Sequence, residues 1–198
     1  MVHDSRGRLE MVQLLIQHGA NTHSRTDPPH KTPMQLAAAE GHLHVMEELV
    51  KKGMDWKEKD DWGWTLLHEV AAAKDAEGIK WVSLRSRDLS NITDKLGRTP
   101  LLTALIAGAG DEAVSELLKH GADPGIDDDV GRTTTEAAIL YCSSPVIQII
   151  IEACIQKNEN ESEDTDDKIE MDKANLLSIA NGHPEVEAVK KIFETFLC

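Results

Sequence analysis

Thr32, Thr65, Thr99 and Thr133 stand 33, 34 and 34 residues apart, and each opens a similar apolar segment. A fixed period of roughly 20–50 residues signals a stack of small units, each burying its apolar face on its neighbours, in place of one closed core. The surrounding text rhymes: Thr32-Pro33-Met34-Gln35-Leu36-Ala37, Thr65-Leu66-Leu67-His68-Glu69-Val70 and Thr99-Pro100-Leu101-Leu102-Thr103-Ala104. Two positions upstream of the threonines come His30, Gly63, Gly97 and Gly131, and about three residues earlier Asp27, Asp60, Asp94 and Asp128. In such a stack, function is expected from what the surfaces of the units bind.

Each unit carries helix punctuation. Pro33 and Pro100 suit a first helical turn, where the missing N–H has no partner to lose. The threonine before each suits an N-cap, its hydroxyl taking an orphan backbone donor. Gly19, Gly53 and Gly121 are placed to close second helices in a left-handed conformation. Small Ala37, Ala38, Ala71 and Ala104 let neighbouring helices approach, and Val45, Met46, Leu49 and Val50 keep helical spacing towards the stack.

These units resemble the ankyrin repeat, whose period is about 33 residues and whose signature is Thr-Pro-Leu-His-x-Ala. Gly41-His42-Leu43 through Val50 looks like the family's opening of a second helix, and Leu117-Leu118-Lys119-His120-Gly121-Ala122-Asp123 like its close, repeated at Leu14 to Asn21. The resemblance implies an all-α solenoid of about 5–6 stacked helix-turn-helix units joined by hairpin loops. Residues 1–157 read as repeats one to five, the first truncated, 158–173 as an acidic loop, and 174–198 as a degenerate C-terminal capping repeat. Repeat three loses the Gly-Ala-Asp close, running Trp81 to Leu89 instead, and repeat five reads Thr133-Thr134-Thr135-Glu136 without proline or histidine. The first repeat has only residues 1–6 for its first helix, so it reads either as a half-repeat cap or as the stub of a longer array; a half-repeat leaves apolar surface near Leu14 and Leu15 open to self-association. The run 158–173 is expected to be flexible, with docking of a basic partner as the sharper reading.

With a formal net charge of −14 over 198 residues, the chain lacks the basic footprint that nucleic acid requires. A neutral or basic protein partner fits better. No stretch has the apolar length of a transmembrane helix, and the amino terminus lacks a signal pattern. Cys142, Cys154 and Cys198 show no metal spacing, and their odd number argues against a disulfide framework, so a reducing, cytoplasmic or nuclear setting is expected.

In the family, hairpin tips and first-helix faces line a concave groove. The resemblance therefore implies a groove through Pro28, Pro29, Lys31, Ala39, Glu40, Asp61, Trp62, Trp64, Ala72, Ala73, Lys95, Leu96 and Arg98. It continues through Ile106, Ala107, Asp129, Val130, Arg132, Leu140 and Tyr141. All four tryptophans fall between 56 and 81 in a chain only 4% aromatic. Tryptophan carries a large contact area at low entropic cost, so Trp56, Trp62 and Trp64 are candidate partner anchors, joined by Leu96, Arg98, Ile106, Val130, Arg132 and Tyr141. The competing reading is that the tryptophans pack on one another and only stiffen their repeat. Trp81, at helix-core spacing, is expected in the core. Lys31, Arg98 and Arg132 recur at one position and form a row that could grip a carboxylate or phosphate, or pair with Asp94, Asp128 and Asp129.

His68 falls at the family's structural histidine, where the resemblance implies bonds to backbone and threonine of adjacent repeats. His42-x-His44 is only a weak metal signal, so no metal and no cofactor are expected. Glycine loops for phosphate and nucleophile–base spacings are absent from the sequence. The expected function is a protein-interaction module, adaptor or inhibitor. The alternative is binding, or cofactor-free cyclisation or isomerisation, of a small lipophilic molecule in the same groove. For that reading Glu40, Asp61, His68, Lys74 and Glu136 are the available acid/base groups.

Overall fold

A computed structural model of the chain describes residues 13–15, 18–21, 24–161, 180 and 184–196. Each of the four threonines stands in extended conformation at the start of a short helix: α1 (Pro33–Ala39), then, after α2 (Leu43–Lys51), α3 (Leu66–Ala72). The pattern repeats with α4 (Ala76–Arg85), α5 (Pro100–Ile106), α6 (Asp111–Lys119), α7 (Thr134–Tyr141) and α8 (Ser144–Glu161), and α9 (Val186–Phe196) follows. The hydroxyls of Thr32, Thr99 and Thr133 accept the N–H groups of Gln35, Leu102 and Glu136 at 3.2, 3.1 and 3.1 Å. Among the described residues there is no strand.

Helices of seven residues, such as α1, α3 and α5, are well under the roughly 12–15 residues an isolated helix needs in water. They are held by stacking. First helices pack in series, α1 on α3, α3 on α5 and α5 on α7, while α4, α6, α8 and α9 form the second layer. Met34, Met46, Leu66, Leu67, Ile79, Leu101, Leu102, Leu105, Leu117, Ile139 and Ile147 are fully buried between these layers. Each such side chain contributes about 1.5–3 kcal/mol relative to exposure. Ala38, Ala71 and Ala104 are sealed at the helix contacts, as their size predicts, and Trp81 is buried with the Arg85 guanidinium 3.9 Å above its ring. Repeat three, lacking the usual close, finishes with a 3-10 turn at Arg87–Leu89. Ser90 and Asn91 then hydrogen-bond the carbonyls of His120 and Gly121 in the next repeat, both at 3.0 Å.

One boundary differs from the sequence reading, and one hairpin departs from its counterparts. α8 runs on to Glu161, four residues into the stretch expected to be loop, because the helical register set by Val146, Ile147, Ile150 and Ile151 continues without a breaker. The hairpin before α1 runs from Thr26 to Lys31, one residue longer than its counterparts: Lys31 N–H finds the Thr26 hydroxyl at 3.0 Å, and Asp27 accepts the His30 N–H through its backbone carbonyl at 3.3 Å. The truncated first helix at 1–6 and the loop at 162–173 lie outside the described residues.

Candidate functional site

The hairpins that precede the first helices share one construction. Asp60 Oδ1 accepts the N–H groups of Trp62 and Trp64 at 2.9 and 2.8 Å, Asp94 those of Leu96 and Arg98 at 2.9 and 3.0 Å, and Asp128 those of Val130 and Arg132 at 3.1 and 2.8 Å. Neighbouring tips are also bonded: Asp61, Lys95 and Asp129 donate N–H to the carbonyls of Pro29, Trp62 and Leu96 at 3.0, 2.9 and 3.0 Å. Gly97, at φ 75°, lets the next tip come close; a Cβ there would lie 2.6 Å from the Asp129 nitrogen. The turns therefore form a continuous, internally satisfied ribbon beside the first helices.

On this ribbon Trp62, Leu96 and Val130 occupy the same position in three successive hairpins and are 52, 58 and 80% exposed. Leu140 and Tyr141, at the end of α7, are also exposed. Ile106 is half-buried against the core at the end of α5, and Trp56 likewise, with the Lys57 ammonium 5.8 Å above its ring.

Trp64 stands apart from Trp62. It is half-buried, its indole N–H reaches Asp94 Oδ2 at 3.1 Å, and its ring stacks on His68 with centroids 6.1 Å apart. Lys31 and Arg98, from the flanking hairpins, hold their cations 5.4 and 5.9 Å from the same ring. Trp62 meets Trp64 edge-on at 6.1 Å, so a fixed indole braces an exposed one.

Two of the three cations in the expected row have partners within the chain. Lys31 Nζ lies 2.8 Å from Glu69 Oε2, and that carboxylate is 1% exposed with its other oxygen unpartnered. Burial raises the Glu69 pKa, against the opposing pull of Lys31. Arg98 bonds Asp94 Oδ2 through Nε at 2.8 Å and Nη2 at 2.6 Å. Burial pushes Asp94 up, but Arg98 and the two backbone N–H groups outweigh it and hold the carboxyl below its usual range. Arg132 has no ion pair or side-chain hydrogen bond among the described residues.

His68 is fully buried. Its Nδ1 accepts the Thr65 N–H at 3.2 Å and faces the Thr65 hydroxyl at 2.9 Å, while Nε2–H donates to the Arg98 carbonyl of the next repeat at 3.0 Å. Burial lowers its pKa from 6.5 to about 4, keeping the ring neutral, so it is not an available acid/base group. Gln35 does the same work one repeat earlier, its Oε1 taking the Thr32 N–H and its Nε2 donating to the Trp64 carbonyl, both at 3.0 Å. Among the other acid/base candidates, Asp61 pairs with the His30 ring and Glu136 accepts the Thr133 N–H at 3.1 Å.

Residues 1–85 match a family model described as Ankyrin repeats (3 copies), and residues 96–129 match the Ankyrin repeat. The chain belongs to the ankyrin repeat family. This ankyrin array is 29% identical over 79% of its length to Neurogenic locus notch homolog protein 1 of Danio rerio, and 30% identical over 78% to that of Xenopus tropicalis. It is 34% identical over 43% of its length to Ankyrin repeat domain-containing protein 13B of Mus musculus. The matched stretch spans 6% of the notch relatives and 13% of the 13B relative. Ankyrin repeats in general serve as protein-interaction modules.

Among the described residues no group of three His, Cys, Asp or Glu could hold a metal, and no helix is long and apolar enough to cross a membrane. A depression of about 440 Å³ lies between α8 and α9, lined by Pro145, Gln148 and Ile192, away from the tryptophan face.

Proposed function

We propose that this ankyrin array is an adaptor or inhibitor that binds a partner protein through its hairpin tips and the first-helix side of the stack. The observation that carries this reading is the aligned row Trp62, Leu96 and Val130, apolar side chains exposed on turns that are bonded to one another and closed by their aspartates. Exposed apolar rows on rigid supports are unfavourable in water unless covered, and an aromatic anchor preordered by its neighbours binds at low entropic cost. Arg98 and Arg132 stand beside this row, Ile106 and Tyr141 close the first helices behind it, Trp64 braces Trp62, and Trp56 packs on the core near Lys57. At long range the net charge of −14 attracts a basic partner and leaves a neutral one unopposed. The reading sets the chain in the cytoplasm or nucleus, where the thiols of Cys142 and Cys154, which form no disulfide, stay reduced.

The test is affinity capture from native cells with the wild-type chain, Trp62→Ala, Val130→Ser and a control, Leu84→Ser, at an exposed leucine of α4. A protein lost from both face variants and kept by the control is the expected result, with Trp62→Ala weakening binding by about 2 kcal/mol or more. A partner that survives both face substitutions rejects the reading. Quenching of tryptophan fluorescence by small lipophiles, abolished in Trp62→Ala, would instead favour the small-molecule alternative. Exposed Leu14, Leu15 and Leu36 support self-association through the N-terminal end of the stack; a sedimentation series that stays monomeric at high concentration rejects it.

A further inference from the structure

The charges around the exposed row are not equally free. Of its acids all but the exposed Asp129 are engaged: Asp60, Asp94 and Asp128 close their turns, Glu69 holds Lys31, and Asp61 holds His30. Two cations are not. Lys95 sits on the tip between Trp62 and Leu96 and uses only its backbone, and Arg132 follows Val130 by two residues. Neither side chain has a hydrogen bond or an ion pair among the described residues.

The chain itself shows what an arginine at this register binds. Arg98, one repeat earlier, clamps a carboxylate oxygen through Nε and Nη2 and lies beside an indole. Arg132 has the equivalent aspartate, Asp128, four residues before it, but no ion pair forms with it. No tryptophan stands at the Arg98 position to steer the guanidinium as Trp64 steers Arg98. A half-buried arginine whose guanidinium donors are unfilled, beside an 80% exposed valine, presents a fork geometry suited to a carboxylate.

Resting on the recognition reading above, we propose that the partner inserts an apolar segment carrying an aspartate or glutamate, whose carboxylate pairs with Arg132 and is drawn in by Lys95. Its apolar side chains cover Trp62, Leu96 and Val130. Two repeat spacings of about 10 Å separate the ends of this row, a reach of about six extended residues. The long-range field of the acidic body and the short-range chemistry of the groove thus select differently. A partner can be basic overall and still need one acidic residue in the bound segment.

The experiment is selection of a random 12-residue peptide library on the full chain, followed by measured affinities of the selected peptides for three variants. Enrichment of an acidic residue within an apolar segment is expected, with at least tenfold weaker binding to Arg132→Ala (about 1.4 kcal/mol) and steeper weakening with salt for wild type. Arg132→Glu should re-select peptides bearing lysine or arginine at that place. Selected peptides that lack an acid, or that bind Arg132→Ala as well as wild type while losing Trp62→Ala, overturn the carboxylate assignment and leave the recognition face standing. Peptides indifferent to Trp62→Ala, or no selected peptide at all, overturn both. Arg132→Lys separates fork from charge: retention of only part of the affinity is expected, and full retention reduces the role to plain attraction.

Discussion

The junction between the second and third repeats and the junction between the fourth and fifth share a backbone plan but differ in chemistry. In both, tip bonds of 3.0 Å link one hairpin to the next. The earlier junction adds side-chain bridges: Gln35 to the Trp64 carbonyl, and Lys31 to buried Glu69. The later one places Leu102 where Gln35 stood and Ala137 where Glu69 stood, both fully buried and apolar. Its polar links lie elsewhere, as in Lys157 on Asp123 at 2.7 Å. The period therefore needs only the backbone ribbon and apolar layers. The polar bridges fix local orientation, and in the earlier repeats they immobilise Trp64, against which Trp62 is braced. Where they stop, an arginine is left free.

The largest break in this contrast should come from Lys31→Met. It leaves the Glu69 carboxylate sealed without its counter-charge, a loss of about 3 kcal/mol. The pH dependence has a definite sign. Burial already raises the Glu69 pKa, and removing Lys31 raises it further, so the folded state takes up a proton that the unfolded chain releases. The deficit should therefore be largest at pH 8 and shrink towards pH 5 in denaturant titrations. The double variant Lys31→Met with Glu69→Met should recover most of the stability, as the apolar junction at Ala137 does without a pair.

Next in size is His68→Leu, which copies Leu102 into the third repeat. Losing the bond to the Arg98 carbonyl and the acceptor for Thr65 should cost about 2 kcal/mol. The wild-type chain carries a further signature. With the folded pKa depressed from 6.5 to about 4, the unfolded chain binds the proton first, so stability is full above 6.5 and falls as pH drops towards 4. His68→Gln, using the bridge already present at Gln35, should keep most of the stability at pH 7 and flatten that fall. A variant that retains the full acid slope would show that another group is responsible.

Local signals made the repeat legible from sequence. Threonine caps, turn aspartates at 60, 94 and 128, and closing glycines depend on a few adjacent residues, and the structure has them where the spacing puts them. Contacts between repeats were harder to read. Trp62 and Trp64 flank one glycine, yet only the approach of Lys31, Asp94 and Arg98 from other hairpins makes one a brace and leaves the other exposed. The period puts Gln35 at the position of His68, but its donation to the Trp64 carbonyl, 29 residues away, could not be read from it. The longer hairpin at 26–31 was hidden by Asp27, which keeps the period in the sequence while Thr26 supplies the side-chain acceptor for the Lys31 N–H.

The smallest effects come from exchanging amide and acid at the two ends of the contrast. Gln35 and Glu136 both accept the N-cap N–H of their own threonine, at 3.0 and 3.1 Å, but only Gln35 also donates to the next repeat. Gln35→Glu removes that donor and sets a carboxylate against the Trp64 carbonyl, so it should destabilise by about 1 kcal/mol. The change should also loosen Trp64, visible as a shift in tryptophan emission. Glu136→Gln keeps the acceptor its threonine needs and should change stability by less than about 0.5 kcal/mol. Equal losses from the two exchanges would mean that the cap bond alone matters, and that the donation to the next repeat contributes nothing to holding Trp64 in place.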